Sequence, residues 1–365
     1  MKDFNFHITT LDRYIIKRFI GTYIFAILII IGVAIIFDIS EKIDDFVDSN
    51  APLNEIVFDY YLNFIPWFIN AFSSLFVFIT VIFFTSKMAA NTEIIAILAG
   101  GVSFKRLLYP YFISATVIFC FRLILNLFII PPASRVRIAF VDKYVHDKFE
   151  NKNRNMHYQI APGTYLYAES FSTWNNTIYK FTLESMEGHT MHSKLSAPTA
   201  RWDTTSRSWR LNNYVHRKFI NGTEVVTSGP QMDTVINVTV ADFYRGKHFV
   251  ETLNYRQLNN LIETQRMRGD QSVKLSLIEK YSRYSIPFSV FILTVIAVSL
   301  SSHKRRAGIG MNIGIGLGLG FSYILFLRFS QMFVYTDTLP PLVAIWLPNA
   351  LYAVIAYVLY RIAPK

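Results

Sequence analysis

The sequence predicts an α-helical membrane protein with an antiparallel β-domain inserted between its third and fourth transmembrane helices. Composition is the first reason: 52% of the residues are hydrophobic, only 17% are charged, and there are 32 Phe and 21 Tyr. Ordinary soluble domains are less apolar and more charged. The second reason is six runs that each approach the roughly 20 apolar residues a span requires. The third is a central stretch in which apolar and polar residues alternate between turn signals.

The runs follow in order. "FIGTYIFAILIIIGVAIIF", Phe19 to Phe37, has no charge. A second, from about Tyr60 to Ser86, is also uncharged and holds Pro66, expected to kink it. A third extends from Leu107 to about Ile130 and is interrupted by Arg122. "YSIPFSVFILTVIAVSLSS", Tyr284 to Ser302, is the fourth. Ala307 to Leu327 is the fifth, with Arg328 at its far end, and the sixth lies between Asp337 and Arg361. The first run is long and has no small-residue cleavage site after it, so it reads as a retained span, not a signal peptide.

Loop charges orient the spans. The N-terminal tail carries Lys2, Arg13, Lys17 and Arg18, and the second-to-third loop Lys87, Lys105 and Arg106. The fourth-to-fifth loop carries Lys304, Arg305 and Arg306, and the C-terminal tail Arg361 and Lys365. The first-to-second loop is acidic, with Asp38, Glu41, Asp44, Asp45, Asp48 and Glu55 against Lys42 alone. The last short loop has Asp337 and no base. Basic loops stay in the cytoplasm, so both termini are expected there and the stretch from Pro131 to Arg283 outside it. The net charge of +11 then belongs to these flanks, and no nucleic-acid partner is expected.

Outside, "HYQIAPGTYLYAESFSTWNNTIYKFTLESM" and "ARWDTTSRSWRLNNYVHRKFINGTEVVTSG" alternate in period two. Turn signals fall at Pro162-Gly163, Asn175-Asn176, Asn212-Asn213 and Asn221-Gly222. Short alternating strands with regular turns mean an antiparallel sandwich or roll. "NYRQLNNLIETQRMR", Asn254 to Arg268, has helical spacing with Leu258, Leu261 and Ile262 on one face.

"TEIIAILAGG", Thr92 to Gly101, predicts a short helix between two spans. Thr92 is expected to cap it and Glu93 suits the positive end of its dipole. Ile94, Ile95, Ile97 and Leu98 are apolar, and Ala96, Ala99, Gly100 and Gly101 are small enough for close approach. Such a helix is a grip for a partner protein or an element lying on the lipid.

Continued as "TEIIAILAGGVSFKRLLYP", the segment resembles the coupling helix of the lipopolysaccharide-export permease family LptF/LptG (YjgP/YjgQ). "LPPLVAIWLPNALYAVIAYVLYR", Leu339 to Arg361, resembles that family's last span through its Pro-Pro, Trp346 and Leu347-Pro348-Asn349. "EKYSRYSIPFSVFILTVIAVSLSSHKRRAGIGMNIGIGLGLG", Glu279 to Gly320, is a third match. "LDRYIIKRF", Leu11 to Phe19, looks more like the LptG branch. The resemblance covers nearly the whole chain, in family order and spacing.

The resemblance implies a permease of the bacterial inner membrane that pairs with a second six-span permease. It implies a cytoplasmic ATPase dimer bound to the coupling helix near residues 91–101, with ATP and Mg²⁺ in that ATPase and no cofactor in this chain. The β-domain becomes a periplasmic jellyroll that relays lipopolysaccharide to a bridge of jellyroll proteins. The expected division is residues 1–131, 132–275 and 276–365. Thr92, Glu93, Ile94, Ile95, Ile97, Leu98, Gly100 and Gly101 become the ATPase-coupling residues. Glu93 would face a basic or polar group there, with Ile94, Ile97 and Leu98 in the partner's groove.

Arginine is well shaped for lipid phosphates, so Arg122, Arg135, Arg137 and Arg328, with Lys42 and Lys143, are the headgroup candidates. For Arg122 a buried partner is the alternative, and for Arg328 snorkelling to the interface. One departure stands out. Related proteins tend to carry bases where the first span leaves the membrane, whereas "FDISEKIDDFVDSN" has only Lys42. A divalent ion bridging Asp44 and Asp45 to phosphate, or bases from the paired permease, are two ways to fill that gap.

The remaining signals are bland. No Walker A sequence is present, so ATP hydrolysis belongs to another chain and this one is not an enzyme. "GIGMNIGIGLGLG", Gly308 to Gly320, lies in a span with no preceding strand. Gly310, Gly314 and Gly318, like Gly316 and Gly320, recur at four-residue steps and favour close helix packing over a ligand role. His189 and His192 lack the further ligands of a zinc site, so no metal is expected. Cys120 reads as a packing residue, and the sequons at Asn175, Asn221 and Asn237 as turn and strand residues. A secondary transporter needs broken spans and midplane acids, and a non-transporting scaffold would only display the β-domain. Both stand as alternatives.

Overall fold

The computed structural model describes residues 8–145, 154–188, 190–220, 223–243, 247–302 and 308–363. Lys2, His189, the turn Asn221-Gly222, Lys304, Arg305, Arg306 and Lys365 lie outside them. The chain forms two compact units, Met1–Arg137 with Leu277–Lys365, and Ile138–Ser276.

In chain order the first helices are α1 (Thr10–Asp48), α2 (Leu53–Glu55), α3 (Leu62–Ala90), α4 (Glu93–Ala99), α5 (Phe104–Ile124) and α6 (Ile130–Tyr144). The strands are β1 (Met156–Ala161), β2 (Thr164–Ala168), β3 (Ser170–Ser172), β4 (Thr177–Glu187), β5 (Thr190–Asp203), β6 (Ser208–Ile220) and β7 (Thr223–Thr234). Then come α7 (Val240–Phe243), α8 (Lys247–Glu251), α9 (Tyr255–Met267), α10 (Val273–Ser301), α11 (Gly308–Tyr335) and α12 (Pro341–Ile362). Among the described residues, six helical segments are long and apolar enough to cross a membrane.

Several spans exceed their expected bounds. The 39 residues of α1 cover about 58 Å at 1.5 Å each. The acidic segment after Phe37, read as a loop, is therefore helix as far as Asp48. Its start is a capping box: the Thr9 hydroxyl accepts from the Asp12 amide, and Asp12 accepts from the Thr9 amide at 2.8 Å. The third span does not stop near Ile130. A π-helical turn, Leu125–Ile129, joins α5 to α6, which carries the chain on through Pro131 and Pro132 to Tyr144. Prolines donate nothing to the preceding turn, and the wider π turn absorbs the mismatch.

Pro66, Pro110, Pro287 and Pro348 each interrupt a span. Two of the carbonyls they release find side-chain donors, as a membrane interior demands. Pro348 leaves Ala344 O to accept from the Ser330 hydroxyl. Pro287 leaves Arg283 O to accept from Asn126 Nδ2 at 3.4 Å. Asn349, beside Pro348, is buried. It donates to Ser285 O at 2.7 Å and accepts from Tyr323 OH at 3.0 Å, so α10, α11 and α12 meet on one side chain.

The helical core centres on aromatic packing. The Tyr111 ring stacks on Phe84 with centroids 5.4 Å apart, lies 6.2 Å from Phe19, and its hydroxyl bonds Thr85 at 2.9 Å. α11 packs on α3 through Gly316 and Gly320. A Cβ on Gly320 would lie 2.9 Å from Leu75 Cδ1, and one on Gly316 would run into Ile82 Cδ1. At Gly310, Gly314 and Gly318 a Cβ would meet nothing within 4 Å inside this chain. They occupy a different stripe of the helix from the one that faces α3. Gly316→Val is expected to cost about 1–3 kcal/mol by overpacking, whereas Gly314→Val leaves the stability of the isolated chain within about 0.5 kcal/mol. Denaturation of both variants in detergent checks the contrast.

The second unit is a seven-stranded antiparallel sheet ordered β1-β2-β4-β5-β6-β7, with β3 paired to β4. β4 to β7 pair in sequence as a meander, while β2 and β3 both pair with β4. Its apolar face gathers Leu166, Phe181, Leu195 and Trp209, with Phe243 of α7 stacked on Phe171 at 4.5 Å. Trp209 Nε1 donates to Val238 O at 2.8 Å. The turns at Pro162-Gly163 and Asn175-Asn176 connect strands as expected, Gly163 having φ +72° against the Met186 carbonyl. Asn212-Asn213 is not a turn. Both residues lie inside β6, where Asn213 takes φ +53°, a left-handed conformation that Asn tolerates. α9 matches its prediction, with Asn254 and Gln257 in a capping box and Leu258, Leu261 and Ile262 buried.

Candidate functional site

α4 lies at the end of the helical unit where the chain terminates. It begins differently from the prediction. Thr92 has φ +63°, its hydroxyl donates back to Asn91 O at 2.6 Å, and it offers no side-chain cap. The left-handed backbone turns the hydroxyl away from the helix it precedes. The other terminus is a Schellman motif: Val102 N–H donates to Ile97 O at 3.4 Å and Gly101 N–H to Leu98 O at 3.0 Å. Gly101 at φ +84° supplies the left-handed residue that motif needs.

The helix faces are also rearranged. Ile94 is fully buried in this chain's own core, and Ile97 and Leu98 are half-buried against it. The outward face is Ile95, Ala96, Ala99 and Gly100. A partner therefore meets a flat strip of small residues with one isoleucine. Ile94, Ile97 and Leu98 anchor the helix to its scaffold, because the short loop holds that face against α3.

Glu93 is half-buried and already engaged. It accepts from Tyr14 OH at 3.2 Å and from Asn91 Nδ2 at 3.3 Å. Arg18 and Lys87 line the same small recess, and Arg18 stacks on the Tyr14 ring at 5.5 Å. Two residues before Tyr14, Asp12 binds Arg106 through two contacts of 2.6 Å each, with the Asp12 side chain 1% exposed. This clamp fixes the start of α1 to the first turn of α5, three residues beyond the end of the α4 turn. Sequence reading missed it. The Thr9-to-Asp12 spacing is a cap signature that could have been read, and nothing local points to Arg106.

Of the basic candidates, Lys42 and Arg137 both come near Tyr60, Lys42 over its ring at 5.3 Å. Arg122 is fully buried and donates to Ser74 Oγ at 2.8 Å, Asn70 O at 3.0 Å and Ile286 O at 3.3 Å. Ser74 in turn bonds Ser289 at 2.7 Å. Of its two expected roles, the buried-partner one has its partners in place, and they are hydroxyl and carbonyl groups, not an acid. Arg137 is 9% exposed and stacks on Trp67 at 5.0 Å, with its Nε and Nη2 unbonded. Lys42 pairs with Asp38, which also accepts from Tyr60 and Tyr61 at 3.2 Å each, so its charge is offset locally. Arg135 and Arg328 are exposed. Lys143 is exposed over the Tyr144 ring at 4.5 Å and belongs to the β-unit.

Smaller expectations resolve as follows. Cys120 is exposed on the outside of α5 and does not pack inside. His192 lies 2.7 Å from Glu187. Among the described residues no group of three or more His, Cys, Asp or Glu is placed to hold a metal ion.

The order of elements, three spans, a β-unit and three spans, with a short helix between the second and third, is that of the suspected family. No curated protein matches the chain. A family model described as lipopolysaccharide export system permease LptF/LptG matches residues 13–362. That match takes in all six spans and the β-unit between them, and so the chain belongs to the LptF/LptG family of lipopolysaccharide export permeases.

Proposed function

We propose that this multi-pass inner-membrane permease is one subunit of an ATP-driven exporter that extracts lipopolysaccharide from the inner membrane. In this reading a cytoplasmic ATPase dimer binds ATP and Mg²⁺ and docks on α4, and a second six-span permease completes the pathway. Both termini are cytoplasmic, as the loop charges indicate, and the β-unit is periplasmic and hands lipid to a bridge of jellyroll proteins. The LptG branch is the one we favour, on Leu11 to Phe19. The family match over residues 13–362 carries the proposal.

Burial supports a permease partner. α1 and α11 are the least covered spans, each with 22% of its most apolar window buried, against 33–67% for the others. The open stripe of Gly310, Gly314 and Gly318 lies on α11, so its close-packing role passes to a partner helix. Arg135, Arg137 and Arg328 remain headgroup candidates. Arg122 and Lys42 reach lipid phosphate only if their present bonds break. A proton-coupled secondary transporter fits less well. Among the described residues the buried acids are Asp12 and Asp38, which flank the apolar run Phe19–Phe37 of α1, and none lies inside that run.

Glu93→Lys tests the docking role. It removes the Tyr14 bond and adds a cation beside Arg18 and Lys87, while α4 stays anchored by Ile94. Folding is expected within about 1 kcal/mol of wild type. ATP hydrolysis by the purified complex should persist while lipid release falls about tenfold, a coupling loss typical of allosteric links. Wild-type release per ATP would remove the docking assignment.

A further inference from the structure

An apolar groove of about 440 Å³ opens on the side of the helical unit, between α5, α10 and α12. Leu108, Phe112, Val295 and Ala356 form its walls. Tyr109, Tyr357 and Tyr360 stand around it with Lys105. Lys105 lies in the first turn of α5 and Tyr360 in the last turn of α12, which places the groove at the membrane boundary on the side of the termini. Tyrosines and a lysine at that depth form an interfacial belt.

We propose that this groove is a binding site for an anionic glycerophospholipid of the cytoplasmic leaflet, one acyl chain between Leu108, Val295 and Ala356 and its phosphate at Lys105. The leaflet rests on the sidedness proposed above. The lining argues for an acyl chain: the groove walls are aliphatic and aromatic, and its polar groups stand at the end nearest the membrane boundary. Charge argues for an anionic headgroup. Arg361 stacks on Tyr357, one of the lining rings, with its guanidinium 6.0 Å from the ring, so a second cation stands near the groove. Arg106 lies over Tyr109 at 5.1 Å, but Asp12 holds both its terminal nitrogens.

The site also adjoins the coupling region. Phe104 opens α5 directly after the α4 turn, and its ring lies 5.9 Å from Tyr360. A lipid seated against Tyr360 braces the contact that fixes the far end of that turn.

Native mass spectrometry of the full chain in mild detergent tests the site, with dioleoyl phosphatidylglycerol and dioleoyl phosphatidylcholine as probes. One phosphatidylglycerol should be retained per chain in preference to phosphatidylcholine. Lys105→Gln, an exposed change that spares the fold, should lower phosphatidylglycerol retention about fivefold, the worth of one basic residue at an anionic surface. Val295→Phe, which fills the groove, should remove both lipids. Equal retention of the two lipids, or unchanged retention in both variants, overturns the proposal. So does labelling of Lys105→Cys, in a Cys120→Ser background, by an impermeant thiol reagent applied from the periplasmic side.

Discussion

Arg122→Ala is expected to destabilise the helical unit by about 3–5 kcal/mol, the largest effect of any single substitution at the candidate residues. The side chain is fully buried and ties three helices through Ser74, Asn70 and Ile286. Truncation leaves a cavity and strips Ser74 of its donor. The physical cause of the loss is packing and hydrogen bonding, not charge pairing, because no carboxylate is bonded to the guanidinium among the described residues. Arg122→Met separates the two. It fills most of the volume, removes a buried charge that is costly to desolvate, and leaves Asn70 O and Ile286 O to their own helices. Its stability should fall within about 1.5 kcal/mol of wild type. Reversible denaturation in detergent reads both variants. A folded Arg122→Met with normal lipid release would show that the guanidinium is a structural tie. The same folded variant with release abolished would restore its role in headgroup contact.

Asp12→Ala is the second. Its carboxylate completes the capping box of α1 and accepts both terminal nitrogens of Arg106 from a position 1% exposed. Loss of the cap costs about 1 kcal/mol, and loss of a largely buried bidentate pair adds about 2 kcal/mol. A double-mutant cycle with Arg106→Ala isolates the pair, with an expected coupling of roughly 2 kcal/mol. Additive losses would place the effect in the cap alone. The clamp also bears on function. With Arg106 freed, the base of α5 loosens from α1, and the strip Ile95-Ala96-Ala99 loses its fixed orientation to Tyr14.

How much of this was legible depended on range. Hydropathy and loop charge marked every span, and period-two alternation marked the sheet, because both signals are local. Helix ends were less visible: the π turn before Pro131 and Pro132 let the third helix run on where a proline pair suggests a stop. Thr92 looked like a cap because residue type does not reveal a left-handed backbone. Ile94, Ile97 and Leu98 were assigned to a partner because an amphipathic helix shows that it has an apolar face, not what covers it. Here the chain's own core covers most of that face. Likewise two glycine stripes recur at the same spacing on α11, and only the contact with Ile82, Leu75 and Phe78 tells which one meets α3. The partners of Arg122 include backbone carbonyls, which any sequence would present.

The most direct test places a photo-crosslinking amino acid at Ile95, on the outward strip of α4, in the chain expressed in its native envelope. The adducts are then identified after purification in mild detergent. Formation of an adduct with a cytoplasmic ATPase, together with recovery of a second six-span permease and bound lipopolysaccharide, is the expected result. Adducts with lipid alone, from a chain that purifies without any ATPase, would contradict the docking role of α4 and the ATP-driven exporter built on it.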